Sequence, residues 1–318
     1  MLETRFIPKL GRSVTRLCLG ALPMGPLQLK MSPRDGAILV RMAVEFGVTF
    51  IDTASKYGTY EHIGRGLKGW KGTVTISTKT DAGSDRSLAK RHLEEARSAL
   101  GRDTLDIVLC HCARSKFTED AWGPTLEILV AAREKGLVRM VGLSTHNIEN
   151  VRIATRHPDL DVIHPLINMK GMGIIDGTAV EMIRAIQEAH KAGKFVYAMK
   201  AMAGGNLLFE RRKALGFVFG MQEIDSVAVG MVTTAEVEWN WRFACGLPIS
   251  EELSRRAAVR SKRVNILSNA CIGCGECVVH CENGALSVTG GKAQVKRNDC
   301  VLCGYCAPHC ERLAIRLV

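Results

Sequence analysis

The stretch Phe50–Glu61, FIDTASKYGTYE, begins as an apolar run, ends that run on a carboxylate at Asp52, and then passes into a short polar segment carrying Tyr57. An apolar strand that closes on a polar group reads as a buried strand delivering that group to a loop. Working outward, the same texture recurs. Strands are expected at Val14–Gly20, Thr49–Asp52, Val74–Lys79, Leu105–His111, Val138–Ser144, Val162–Asn168, Phe195–Lys200 and Ser226–Gly230. Amphipathic stretches lie between them, among them Pro33–Phe46, Ser87–Leu100 and Val180–Ala192, and Asn206–Asp225 has room for one helix through Leu215 and Phe219. Eight alternating strand–helix units over about 245 residues is the size of a closed (β/α)8 barrel. An open doubly wound sheet would not need eight such units.

Past residue 249 the texture changes. Ser250–Arg263 is charged and free of Pro and Gly, with Arg255, Arg256, Arg260, Lys262 and Arg263, and reads as a connecting helix with a solvated basic face. From about Asn265 the chain is rich in Cys and Gly. Two runs of identical internal spacing follow: Cys271, Cys274, Cys277, Cys281 and then Cys300, Cys303, Cys306, Cys310. Three thiolates on one tight loop can wrap three corners of an Fe4S4 cube while the fourth reaches the other cluster, its cysteine expected to start a helix. Cluster one should therefore take Cys271, Cys274, Cys277 and Cys310, and cluster two Cys300, Cys303, Cys306 and Cys281. Zinc is the competing reading, but structural zinc favours separated Cys pairs rather than four cysteines within eleven residues. Clusters serving only as staples for a small module are a second alternative. Gly273, Gly275 and Gly304 would let backbone amides approach the sulfurs.

This segment resembles the bacterial two-cluster ferredoxins over its whole length. It departs where those proteins usually carry proline after each fourth cysteine: Glu282 and Glu311 stand there. A carboxylate at that place is expected to lower the cluster potential. The division of the chain is then 1–249 for the barrel, 250–264 for the connector and 265–318 for the two-cluster domain. The fold class is α/β, a (β/α)8 TIM barrel followed by a small α+β ferredoxin-like domain.

Within the barrel, Asp52, Lys79 and His111 each end an apolar strand, at the face where such barrels place their chemistry. With Tyr57 they make a set suited to carbonyl reduction. Tyr57 can deliver a proton to the oxygen, Lys79 held charged by Asp52 is expected to lower the phenol pKa, and His111 can orient the carbonyl. Singly, each has a structural reading as an ion pair or a packed core residue. DTASKYGTYE, with Lys79 and His111, resembles the aldo-keto reductase superfamily, as do LCLGALPMG, VGLSTHN and VAVGM…EWN; the resemblance covers about residues 1–245. It implies a nicotinamide amide near Ser144 and Asn168, phosphates near Ala201–Leu207 and Met231–Thr234 (Gly204, Gly205 and Thr233 among them), adenine near Asn240, and Lys200 at phosphate or substrate. NADP(H) or NAD(H) is the implied cofactor, although GMVTTAEVEWN lacks a basic partner for a 2′-phosphate and has Trp239 where an acidic residue is common.

Composition bounds the rest. The 318 residues are 47% hydrophobic, and the N-terminus lacks the long apolar core of a signal peptide. No apolar run is long enough to span a membrane, so a soluble cytoplasmic protein is expected, with Cys18, Cys110, Cys112 and Cys245 reduced. The net charge of +11 fits either a generally basic surface or docking of an acidic electron carrier. Nucleic acid is not expected, because no reading motif is present. His280 and His309 read as surface residues or as groups tuning the clusters. The loops Ala21–Lys30, Cys112–Trp122 and Asn168–Gly177 mix Met, Leu, Phe and Trp and suggest an apolar wall for a small carbonyl or alcohol substrate. Two functions follow: an oxidoreductase exchanging electrons through the clusters with a redox partner, or an electron-transfer subunit whose barrel is a docking scaffold. The first needs something to split a hydride pair into single electrons, such as a flavin or a flavoprotein partner; no flavin signature is present in the chain.

Overall fold

The computed structural model describes residues 1–112, 115–258 and 263–317. The chain enters through an antiparallel hairpin of β1 (Thr4–Ile7) and β2 (Arg12–Thr15). The run expected as one strand over Val14–Gly20 is divided at Arg16, and only β3 (Leu17–Gly20) belongs to the barrel. The break has a physical cause. Arg16 is buried, bridges to Glu3 at 3.0 Å and donates to the carbonyls of Met221 and Ile224, which fixes the crossing from hairpin to barrel. Ile7, Leu10 and Val14 pack with Phe50, Ile107 and Tyr197, so the hairpin closes one end of the barrel.

Seven further strands complete a closed parallel sheet: β4 (Phe50–Asp52), β5 (Thr75–Thr80), β6 (Leu105–His111), β7 (Val138–Thr145), β8 (Val162–Pro165), β9 (Phe195–Ala198) and β10 (Ser226–Gly230), the last pairing with both β9 and β3. The returning helices are α1 (Pro33–Glu45), α2 (Tyr60–Leu67), α3 (Arg86–Leu100), α4 (Glu119–Glu134), α5 (Ile148–Arg156), α6 (Ala179–Lys191), α7 (Arg211–Phe219) and α8 (Thr234–Ala244). Local signals set their starts: Ser32 caps α1 ahead of Pro33, and Asp85 accepts from the Leu88 amide to cap α3. Beyond the barrel, α9 (Glu251–Arg256) is shorter than the connecting helix expected over Ser250–Arg263. Residues 259–262, including Arg260 and Lys262, lie outside the described residues, as do 113 and 114 of the expected Cys112–Trp122 loop.

The C-terminal unit has two small antiparallel pairs, β11 (Val264–Ile266) with β14 (Ile315–Leu317) and β12 (Leu286–Thr289) with β13 (Lys292–Val295), and one turn of helix, α10 (Glu276–Val279). The first motif's helix thus precedes the fourth cysteine instead of starting at it. After Cys281 the chain turns through Gly284 at φ +61° and runs straight into β12, leaving no room for a helix there.

This unit sits on the barrel mouth. Val301 packs with Leu166 and Met199, and Tyr305 packs with Ala54 and Tyr57. Asn206 donates to the Cys300 carbonyl at 2.7 Å, and Asn283 donates to the Gly173 carbonyl at 3.1 Å. The approach is backbone on backbone at two glycines. A Cβ on Gly204 would stand 1.7 Å from the Val301 carbonyl oxygen, and one on Gly304 would stand 2.0 Å from that of Leu27. Gly204 also has φ +69°, which costs an L side chain about 1–2 kcal/mol by itself. Gly204→Ala should therefore leave the barrel folded and lift the C-terminal unit from it. Hydrogen exchange should show at least a tenfold loss of protection around residues 300–306, with β5 and β6 unchanged.

Candidate active site

Sheet register brings the strand-end groups together: Asp52 is level with Gly20 on β3 and Ser77 on β5, and His111 on β6 is level with Ser144 on β7. The Lys79 ammonium lies 2.6 Å from Asp52 Oδ1 and donates to the Thr53 carbonyl at 2.8 Å. Its side chain is wholly buried, so this charge is held entirely by protein groups. Burial pulls the Lys79 ammonium pKa down, and Asp52 opposes that pull. Asp52 is shared further. The Tyr197 hydroxyl donates to it at 2.9 Å, and His164 Nε2 stands 3.7 Å away. Neither Tyr197 nor His164 was expected here from the sequence. Their ring stacking, at 3.8 Å between centroids, is a contact between neighbouring strands and follows from barrel closure.

Tyr57 ends a one-turn 3-10 helix (Ser55–Tyr57) after β4 and lies against this pair, with the Lys79 ammonium 4.9 Å from its ring centre. Here one expectation is corrected. Lys79 meets the ring face and spends its hydrogen bonds on Asp52 and Thr53, so it does not draw the phenol pKa down. Burial, reinforced by the Asp52 charge, pushes the Tyr57 phenol well above its ordinary range. His111 packs edge-on to Tyr57 at 5.8 Å, and its Nδ1 is buried without a partner. Burial, with Lys56 and Lys79 nearby, holds the imidazole well below its usual range and therefore neutral near pH 7.

A cavity of about 130 Å³ opens beside Tyr57 and Asp52, lined also by Gly20, His164, Lys200, Gly204, Gly205, Gly230 and Glu236. Lys200, in a left-handed conformation at φ +62°, lines this space. The other residues expected at a nucleotide divide. Ser144 Oγ is buried with no partner and is free to take one. Asn168 is already engaged: its amide donates to the Met172 carbonyl at 2.9 Å, and its Oδ1 accepts from Lys170 and Met172, because its own loop folds back on it. Gly204 touches the C-terminal unit in addition to lining the cavity. Thr233 caps α8, and the Glu236 carboxylate accepts the Val232 and Thr233 amides at 2.7 and 3.2 Å. Asn240 is buried one turn further and bonded to the Glu236 carbonyl.

The cysteines fall into two groups. Cys271, Cys274, Cys277 and Cys310 line one cavity; Cys281, Cys300, Cys303 and Cys306 line another. Backbone amides of Ala285, Ala293 and Ala314 donate to the sulfurs of Cys281, Cys271 and Cys310 at 3.2–3.3 Å. Amide donors aimed at thiolate sulfur fit an iron–sulfur cluster. The second group faces the barrel, where Cys303 packs against the Tyr57 neighbourhood, while Cys274 of the first is exposed. Glu282 is not a free charge beside the second group. It lies 2.7 Å from Lys56, which also pairs with Asp81 at 3.2 Å, so the expected lowering of potential by a bare carboxylate is corrected. The rings of His280 and His309 stack at 3.5 Å.

Barrel, strand-end polar set and cysteine unit together define an oxidoreductase with an iron–sulfur domain. The aldo/keto reductase family pattern matches residues 16–252 and a 4Fe-4S binding domain pattern matches residues 264–287; the chain belongs to the aldo/keto reductase family. It is similar to the L-galactose dehydrogenase of Arabidopsis thaliana, at 23% identity over 279 residues, which is 75% of this chain and 87% of that protein. A methylglyoxal reductase of Salmonella typhimurium is 24% identical over 227 residues, 69% of this chain and 74% of that protein. The solved holo form of a Bacillus halodurans aldo-keto reductase superposes with a TM-score of 0.63 at 17% identity, covering 81% of this chain and 97% of that one, a likeness of fold. Among the described residues no helix is long and apolar enough to cross a membrane.

The buried imidazoles generate a prediction about acid stability. Burial holds His164 down to about 3, against about 6.5 in the unfolded chain. Its contribution is complete above pH 6.5 and is lost as pH falls toward 3, at about 1.4 kcal/mol per pH unit. Denaturant titrations at pH 6.5 and 5 should show His164→Gln losing about 2 kcal/mol less than wild type between those values. Equal losses would mean that His164 is not held neutral.

Proposed function

We propose that this chain interconverts a small-molecule carbonyl and an alcohol at Asp52, Tyr57, Lys79 and His111, and that two [4Fe–4S] clusters connect this site to a redox partner. The observation that carries the reading is the seat of Cys303 and Tyr305 against Tyr57, which puts one group of cysteines at the catalytic mouth. Residues 1–249 form the reductase unit, 250–264 the connector and 265–318 the two-cluster unit, a division supported by family matches that end at 252 and resume at 264.

The chain's own groups have distinct tasks. Tyr57, with its pKa pushed up, keeps its proton through neutral pH and acts as an acid toward an oxygen gaining negative charge, which favours carbonyl reduction over alcohol oxidation. The buried Lys79–Asp52 pair sets the field at its ring face and fixes where it points. Neutral His111 packs edge-on against that ring. Lys200, Gly205 and Gly230 line the space for NADP(H) or NAD(H), with Ser144 Oγ as a free polar group deeper in the barrel. A nicotinamide bound there would supply the hydride. The cluster of Cys271, Cys274, Cys277 and Cys310 has the exposed edge and would meet an acidic electron carrier or a flavoprotein, the cytoplasm supplying the reducing surroundings that both clusters need. A flavin, on a partner or in the cavity, would divide electron pairs into single electrons.

A second reading, an electron-transfer subunit with the barrel as a scaffold, is favoured by Asn168 and Glu236. Each already satisfies, or occupies, polar groups that a nucleotide would use. Anaerobic titration of the iron-loaded protein with NADPH and separately with NADH separates the two. The first reading expects nicotinamide fluorescence to report binding; bleaching of the cluster absorbance near 400 nm would add that the two-to-one electron splitter lies within the protein. Absence of binding by either nucleotide favours the second. Tyr57→Phe should cut carbonyl reduction about 10²–10⁴-fold and leave electron passage between the clusters and a carrier intact. Because Tyr57 stays protonated and His111 neutral, kcat/KM for reduction should be flat from about pH 6 to 9. An inflection near 6.5 that His111→Asn removes would contradict a neutral imidazole.

A further inference from the structure

The two cysteine motifs have identical spacing, and among the positions where they differ the change of chemistry is sharpest at the residue before the third cysteine: Glu276 in one and Tyr305 in the other. The environments differ in the same sense. The Glu276 side chain is 56% exposed, whereas Tyr305 is 8% exposed and points into the barrel mouth. There it shares an apolar cluster with Ala54 and Tyr57, meets the His111 ring edge-on at 6.5 Å, and carries the Lys56 ammonium 4.5 Å from its ring centre. The two side chains pack together, and each phenol acts on the other's protonation. His111 is not among the residues lining the cavity beside Tyr57.

We propose that Tyr305 is a positioning residue of the barrel site: its hydroxyl holds the Tyr57 hydroxyl, so that the proton donor is complete only when the cysteine unit is seated. The geometry gives this pairing little slack. Gly304, next to Tyr305, is pressed onto the Leu27 carbonyl, and Val301, four residues before it, is pressed onto Gly204. Lys56, the neighbour of Tyr57 in sequence, ties to Glu282 beside the second cysteine group and lies over the Tyr305 ring at the same time. Tyr57 is thus fixed from the cysteine unit at its hydroxyl and through the residue beside it. Hydroxyl pairs of this kind are often loose in a ligand-free enzyme and tighten in the reacting complex.

The inference rests on the carbonyl-reducing reading, and its test has an arm that does not. The chain has only four tyrosines, Tyr57, Tyr60, Tyr197 and Tyr305. In full-length, iron-loaded protein labelled with 3-fluorotyrosine, Tyr305→Phe should delete one fluorine resonance and move one other, that of Tyr57, assigned by Tyr57→Phe. The Tyr60 and Tyr197 resonances should stay in place, with iron and sulfide content unchanged. In the kinetic arm, reduction of phenylglyoxal with whichever nucleotide binds should show kcat about tenfold lower in Tyr305→Phe, with KM changed less than twofold. A Tyr57 resonance unmoved by Tyr305→Phe overturns the proposal, as does an unchanged or raised kcat, which would make the phenol an obstruction. Absence of turnover in the wild type counts against the carbonyl-reducing reading, and the fluorine arm then decides the pairing alone. If Tyr305→Phe fails to retain its clusters, Lys56→Met offers the second test: loosening the Tyr305 ring should move the Tyr57 resonance in protein with full iron content, and no movement overturns the proposal.

Discussion

Two carbonyl oxygens, of Val301 and Leu27, lie where side chains on Gly204 and Gly304 would otherwise stand. Much of what distinguishes this molecule depends on those two contacts. Backbone-to-backbone packing at glycine leaves no flexible side chain to absorb error, so the cysteine unit meets the barrel in one register. With that register set, Tyr305 reaches Tyr57, Lys56 reaches Glu282, and the second cysteine group faces the mouth while the first faces outward. A tether alone would bring the two units near one another without choosing which cysteine group is proximal. The glycines and the asymmetry between Glu276 and Tyr305 make that choice.

Below this interface the barrel concentrates polar groups that an apolar interior would reject. Lys79 and Asp52 are both buried, and their ion pair is made tolerable by further hydrogen bonds: Thr53 takes one Lys79 proton, and Tyr197 supplies one to Asp52. Ser77 in turn meets the Tyr197 hydroxyl at 2.8 Å. The network locks the side chains behind Tyr57 and keeps water from the ammonium. Its cost appears in the histidines around it: His111, His146 and His164 are all held neutral by burial, the last two at about 3. The site works with neutral imidazoles and one compensated ion pair, an arrangement suited to a proton donor that stays loaded.

Much of this was legible in the sequence, for a definite reason. Strand-end polar residues are visible because the apolar runs before them are continuous, which is how Asp52, Lys79 and His111 could be found. The division of the cysteines was visible because the two motifs repeat with equal spacing. The misreadings share one physical origin, in that they concern contacts between units distant in sequence. Val14–Gly20 looked like one strand because the partners of Arg16, at Met221 and Ile224, lie two hundred residues away. Nothing local to Gly204 announces its second contact, with Val301. Glu282 looked like a bare charge because Lys56 is 226 residues distant. Tyr305 did leave a trace, an aromatic residue where the sister motif has a glutamate, and a comparison of the two motifs residue by residue would have exposed it.

That trace bears on how a two-electron site and one-electron carriers share a chain. If the clusters were reached only from solvent, nothing would require an aromatic residue between Cys303 and Cys306, and a charged residue like Glu276 would serve there equally well. Burying a phenol at this place costs desolvation of its hydroxyl, which needs a polar partner. The barrel sets Tyr57 beside it, the proton donor of the proposed reaction. The cysteine unit therefore meets the barrel at the proposed proton donor, a lining residue of the cavity that also includes Gly230 and Glu236. An assembly built only for electron passage needs proximity; joining at the proton donor ties the state of the cysteine unit to the readiness of the barrel to act.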